Sequence, residues 1–126
     1  LYVRCSYLDN LIARRKVMAL KTDYVICDRW INDILIDLGA EGRMMNILDT
    51  KWYERFHRIL PKGSYQFVVK REKQSVLDCR VENHANPDFP ARFELYTKLM
   101  EKADVHVVDN TGTIENSVKQ ILDVIE

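Results

Sequence analysis

Three short, almost continuous apolar runs, Tyr24-Val25-Ile26-Cys27, Tyr65-Gln66-Phe67-Val68-Val69 and Val105-His106-Val107-Val108, each deliver charged or polar residues at their ends. Runs that do not alternate with polar residues fit strands of a parallel sheet covered by helices on both faces. Stretches with helical periodicity separate them, and this alternation predicts an α/β layered fold, a parallel sheet flanked by helices with right-handed crossovers. In open sheets of this kind ligands gather beyond the carboxyl ends of the strands. Those ends are Asp28-Arg29, Lys70-Arg71 and the stretch from Asp109 to Thr113.

The helices follow from spacing. Leu1, Cys5, Leu8 and Ile12 describe an amphipathic helix running to about Leu20. Ile31 to Leu38 reads as a short helix stopped by Gly39-Ala40-Glu41-Gly42. Asp49 or Thr50 is placed to cap a helix whose Trp52, Phe56, Ile59 and Leu60 form one face before Pro61-Lys62-Gly63 ends it. Val76, Cys79 and Arg80 predict a helix of two or three turns, and the proline- and asparagine-bearing stretch from Asn83 to Pro90 an exposed, mobile loop. A helix from Ala91 to Lys102 buries Phe93, Tyr96, Leu99 and Met100, and the last helix carries Ile114, Val118, Ile121, Leu122 and Ile125 on one stripe. The expectation is one domain over residues 1–126 with a lid loop at about 81–91.

Lys plus Arg equals Asp plus Glu, 19 each among 126 residues, so no global field draws the chain to nucleic acid or to an anionic membrane. Any anion must be bound by a local cluster. The three cysteines, Cys5, Cys27 and Cys79, are odd in number and widely spaced, which speaks for a reducing, cytoplasmic setting and against a disulfide framework. No stretch reaches the roughly 18 consecutive apolar residues of a membrane helix. The helical pattern is already running at Leu1, so the residues read as part of a longer chain.

At the end of the first run, Arg29 offers a planar fork of donors suited to a phosphate or carboxylate, and Asp28 could hold a hydrated metal ion or accept a proton. The alternative is an Asp-Arg pair that caps the following helix and bonds back to the sheet. His57 and His106 belong to no metal-ligand spacing and read as structural, His84 as a loop residue. Tyr53 and Phe56 read as core, and Arg14-Arg15-Lys16 as a solvated helix face.

The stretch "LIARRKVMALKTDYVICDRW", with its helix, strand and Asp-Arg-aromatic run, resembles the thymidylate kinases, nucleoside monophosphate kinases of the P-loop class. The likeness continues through "LPKGSYQFVV", "VLDCRVENHANPDF", "ARFELYTKL" and "VHVVDNTGTIENSVKQILDVI", covering nearly the whole chain. The resemblance implies a P-loop NTP hydrolase-like three-layer sandwich, incomplete at its N-terminus here. It also implies transfer of the γ-phosphoryl group of ATP to dTMP with Mg2+, in an enzyme that is commonly a homodimer. Carried over by position, Asp28 lies near magnesium and the transferring group, and Arg29 grips the phosphate of the acceptor. Trp30 and Asp33 line the acceptor side, with Arg4 approximating an arginine of the preceding helix. Arg80, at the lid entry, flanks the donor nucleotide, and Asn110, Thr111 and Gly112 form the loop that passes its adenine.

Two departures stand out. The four glycines, Gly39, Gly42, Gly63 and Gly112, have no G-x-x-x-x-G-K-[ST] spacing, so the loop that cradles donor phosphates must lie upstream of Leu1 if the chain is a kinase. Trp30 replaces a commoner tyrosine or histidine, and Asp33 a common serine, both on the acceptor side. A non-catalytic nucleotide- or partner-binding relative, or a deoxynucleoside kinase-like phosphotransferase, is the alternative reading.

Overall fold

The computed structural model describes residues 1–79 and 82–126. The chain divides into two compact units, Leu1–Ser64 and Tyr65–Glu126. Its class is mixed α/β, with a small parallel sheet in the second unit.

The first unit consists of α1 (Tyr2–Met18), α2 (Ile31–Glu41), a 3-10 turn at Ile47–Asp49 and α3 (Lys51–His57). Helix α2 is mostly apolar and buried accordingly, with Ile31, Leu35, Ile36 and Leu38 closed off from solvent and Asp33 and Asp37 on a half-buried side. It passes through Gly39 and Ala40, both buried, instead of stopping at Leu38. Burial of this segment outweighs the roughly 1 kcal/mol by which glycine disfavours a helix interior. Ile47, Leu48, Phe56 and Ile59 complete the core. Of the two candidates, Asp49 and Thr50, it is Thr50 that caps α3, its hydroxyl donating to the Ile47 carbonyl at 2.7 Å and accepting from the Trp52 N–H at 3.3 Å. After α3, Gly63 adopts φ 86° as the N–H of Ser64 closes back on the Pro61 carbonyl.

Two further expectations are corrected in this unit. Tyr24 to Asp28 is not a strand: it is irregular and exposed, with Tyr24 at 79% and Ile26 at 94% of full accessibility. A strand exists only through a partner for its peptide groups, and the described residues of this unit contain no strand to pair with. The stripe Leu1, Cys5, Leu8 and Ile12 is also exposed. Helix α1 packs instead through Tyr7, whose ring meets Phe56 edge-on at 5.5 Å and Trp52 at 6.1 Å, and through the buried Asn10.

In the second unit β1 (Phe67–Lys70) pairs in parallel with β2 (His106–Asp109), Phe67 opposite His106 and Lys70 opposite Asp109. Between them run α4 (Lys73–Cys79), α5 (Glu82–Ala85) and α6 (Phe89–Leu99), and α7 (Ile114–Ile125) follows. Val68, Phe89, Leu95, Leu99, Val105 and Val108 are the buried apolar residues. The segment expected to be a loop is partly helical: α5 lies within it, and α6 starts at Phe89 with Pro90 in its first turn. Proline is tolerated there because the N–H it lacks has no partner inside a helix anyway. Arg80 and Val81 fall outside the described residues.

Arg43 ends α2 in a left-handed conformation, φ 54°, while the Met44 N–H reaches back to the Gly39 carbonyl at 2.9 Å. This is the Schellman closure, in which glycine usually holds the left-handed place. Arg43→Gly is therefore expected to stabilise the unit by about 0.5–1 kcal/mol, the relief of a side chain from that conformation less the entropy glycine adds to the unfolded chain. The midpoint of urea denaturation reads it. A fall in the midpoint would mean that the arginine side chain contributes more than its backbone costs.

Candidate functional site

The Asp28-Arg29 turn is built from its neighbours. Arg29 has φ 60°, the left-handed region that bulky residues rarely enter, and unlike Arg43 it terminates no helix. Immediately after it, the indole N–H of Trp30 donates to Asn10 Oδ1 at 2.8 Å, and Asn10 in turn donates to the Ser6 carbonyl at 2.7 Å. Asn32, also buried, shares a 2.7 Å hydrogen bond with His57 Nε2. The first turn of α2 is thus tied to α1 on one side and to α3 on the other. Arg29 Nε lies 3.8 Å from Asp33 across one helical turn, and its side chain remains 61% exposed.

Asp28 and the preceding free thiol of Cys27 are exposed as well. Among the described residues no three His, Cys, Asp or Glu side chains gather as a metal site. Magnesium does not need such a cage, since it takes one or two carboxylates and fills its octahedron with water and substrate phosphate, so an accessible Asp28 fits that role. Arg4 is exposed on α1, and the side chain that this helix does send to the turn is Asn10. Sequence reasoning missed Asn10 and Asn32. The one available signal was an uncharged amide placed among apolar neighbours.

In the second unit, the strand exits line a recess of about 280 Å3 formed by Arg71, Glu72, Ser75, Asn110, Thr111 and Gly112. Its size is just below the roughly 300–1,000 Å3 typical of ligand pockets, and it is open to solvent. The lining is almost wholly polar, with a guanidinium, a carboxylate, a hydroxyl and the β2–α7 turn. Asn110 is held at the strand end by its N–H to the Lys70 carbonyl, 3.1 Å, and Thr113 caps α7 by accepting from the Asn116 N–H at 3.2 Å. The predicted loop residues Asn110, Thr111 and Gly112 are thus together in one recess. Arg71, at the strand end the sequence also pointed to, joins them, as do Glu72 and Ser75, two residues the sequence did not single out as ligand-facing. Arg80 lies outside the described residues, and His106 stacks among the rings of Tyr65 and Phe67.

Asp109 shapes the turn electrostatically. Its Oδ1 accepts from the Thr111 hydroxyl at 2.7 Å and from the Thr111 N–H at 2.9 Å, and these two bonds, helped by the charge of Lys70, hold the carboxyl below its ordinary value of 3.8. A folded-state value below the unfolded one means that the carboxylate stabilises the fold above pH 3.8 and that this contribution disappears as pH falls through the folded value. Asp109→Asn is expected to lower the thermal midpoint at neutral pH, with the difference from wild type shrinking as pH drops below about 4. A difference that stays constant with pH would overturn this account.

No family model matches the chain, and neither a curated protein nor a solved structure matches it at a significant level.

Proposed function

We propose that the chain is the larger part of a nucleoside monophosphate kinase of the thymidylate kinase type, which transfers the γ-phosphoryl group of ATP to dTMP and releases dTDP and ADP. Its complete fold on this reading is the three-layer sandwich of the P-loop class. The observation that carries the proposal is Arg29: a left-handed, exposed arginine followed by Trp30 and Asn32, which are bonded to two different helices. Such a conformation costs on the order of 1–3 kcal/mol and persists where its surroundings over-determine it, a situation concentrated at ligand clamps and active sites.

Phosphoryl transfer asks for positioning and charge neutralisation more than for covalent work. Arg29 would grip the acceptor phosphate with two parallel N–H donors. An oxygen of that phosphate then attacks the γ-phosphorus of ATP in line, and the bond to the β,γ-bridging oxygen breaks. Asp28 would hold the magnesium that balances charge on the transferring group, while Trp30 and Asp33 face the acceptor. The recess at Asn110, Thr111 and Gly112 would receive the adenine ring of the donor, with Arg71 beside it. Arg80 would flank the donor phosphates from the lid.

The absence of G-x-x-x-x-G-K-[ST] among these residues favours a second reading, a nucleotide-binding relative without catalysis. A coupled assay on the natural full-length protein with ATP, magnesium and each nucleoside monophosphate separates the two. Turnover with dTMP is expected, and no turnover with any acceptor would reject the kinase. Arg29→Ala is expected to lower kcat/KM for the acceptor by about 1.5–3 kcal/mol, roughly ten- to a hundredfold, with KM for ATP little changed. Unaltered kinetics would remove Arg29 from the site.

A further inference from the structure

Gln120, on α7, makes two hydrogen bonds to the main chain of a single residue. The Asp109 N–H donates to its Oε1 at 2.9 Å, and its Nε2 donates to the Asp109 carbonyl at 2.9 Å. His106 and Asn110 point their N–H groups at β1, to the carbonyls of Gln66 (2.8 Å) and Lys70 (3.1 Å). By strand alternation Asp109, between Val108 and Asn110, turns its N–H and carbonyl the other way, toward the side of β2 that faces no strand among the described residues. The Gln120 amide therefore stands where a neighbouring strand would stand.

We propose that Gln120 is a positioning residue for the recess at Arg71 and Asn110–Gly112, setting how the β2–α7 turn meets the base of a nucleotide donor. This rests on the reading of that recess as the donor site. Asp109 is the hinge through which Gln120 acts: its carboxylate holds Thr111 by both the N–H and the hydroxyl, and Asn110 follows it directly. Ser117, one turn before Gln120, donates to Asn110 Oδ1 at 3.0 Å, so two residues of one α7 face control the turn. Helix α7 buries none of its residues completely, so burying apolar surface does not account for a side chain whose donor and acceptor both meet the main chain of one residue. Pairing of β2 with β1 does not involve these two groups and survives their loss. What the amide adds is the orientation of the two peptide groups on either side of the Asp109 Cα.

The test uses the full-length protein and three substitutions. Gln120→Met keeps the length and removes both bonds, Gln120→Glu keeps only the acceptor, and Gln120→Lys keeps only the donor. The expected result is a KM for ATP, and an ATP dissociation constant by calorimetry, raised about tenfold in Gln120→Met and less in the other two, with kcat and the acceptor KM unchanged. Variants that lose thermal stability but bind ATP like wild type would overturn the positioning role while leaving the recess as the donor site. Wild-type protein that neither binds nor turns over ATP would overturn the recess reading itself, and this inference with it.

Discussion

Parallel pairing of Phe67–Lys70 with His106–Asp109 is the constraint on which the second unit depends. Because both strands run the same way, their carboxyl ends emerge together, and the chain leaves the sheet twice at one place, at Arg71 and at Asn110. An antiparallel pair would have put those two residues at opposite ends. The arrangement requires a long connection, since parallel strands cannot be joined by a hairpin. That connection is the helical stretch from α4 to α6, which also supplies Phe89, Leu95 and Leu99 to the unit's core. Sheet, core and recess are thus consequences of one pairing.

The first unit reaches a comparable result by other means. Its organising element is α2, buried on nearly every side, and the residues that fix its start are polar: Trp30 bonded to Asn10 and Asn32 bonded to His57. Apolar packing holds the helix in place and the two amides select its rotation. Arg29 is left outside that scaffold, strained in backbone, its side chain exposed and paired loosely with Asp33. A guanidinium displayed on a fixed support is the chemical content of the unit.

What could be read beforehand follows physical lines. The two apolar runs that find each other, near Phe67 and near Val107, are legible because a strand leaves a continuous apolar pattern, and Thr50 is legible because a cap precedes its helix at a fixed place. Tyr24 to Cys27 carries the same pattern without becoming a strand, since composition records the capacity to be buried and not the presence of a partner. The apolar stripe from Leu1 to Ile12 fails for the same reason: Tyr7 and Asn10, on the other side of α1, are the residues with contacts. Gly39 and Pro90 mislead because their local cost is small beside burial in one case and absent at a helix start in the other. Amides such as Asn10, Asn32 and Gln120 leave no periodic trace, so the bonds that orient both candidate sites could not be anticipated from spacing.

The pair of hydrogen bonds between Gln120 and Asp109 also bears on how the protein behaves in company. The outer margin of β2 is a template on which a foreign strand could grow, and templates of this kind lead to aggregation. By occupying the last donor and acceptor of that margin, one glutamine shortens the template at the end where the chain turns away, and does so without a charge or a proline. A neutral amide that imitates a peptide group thereby guards the molecule against its own kind.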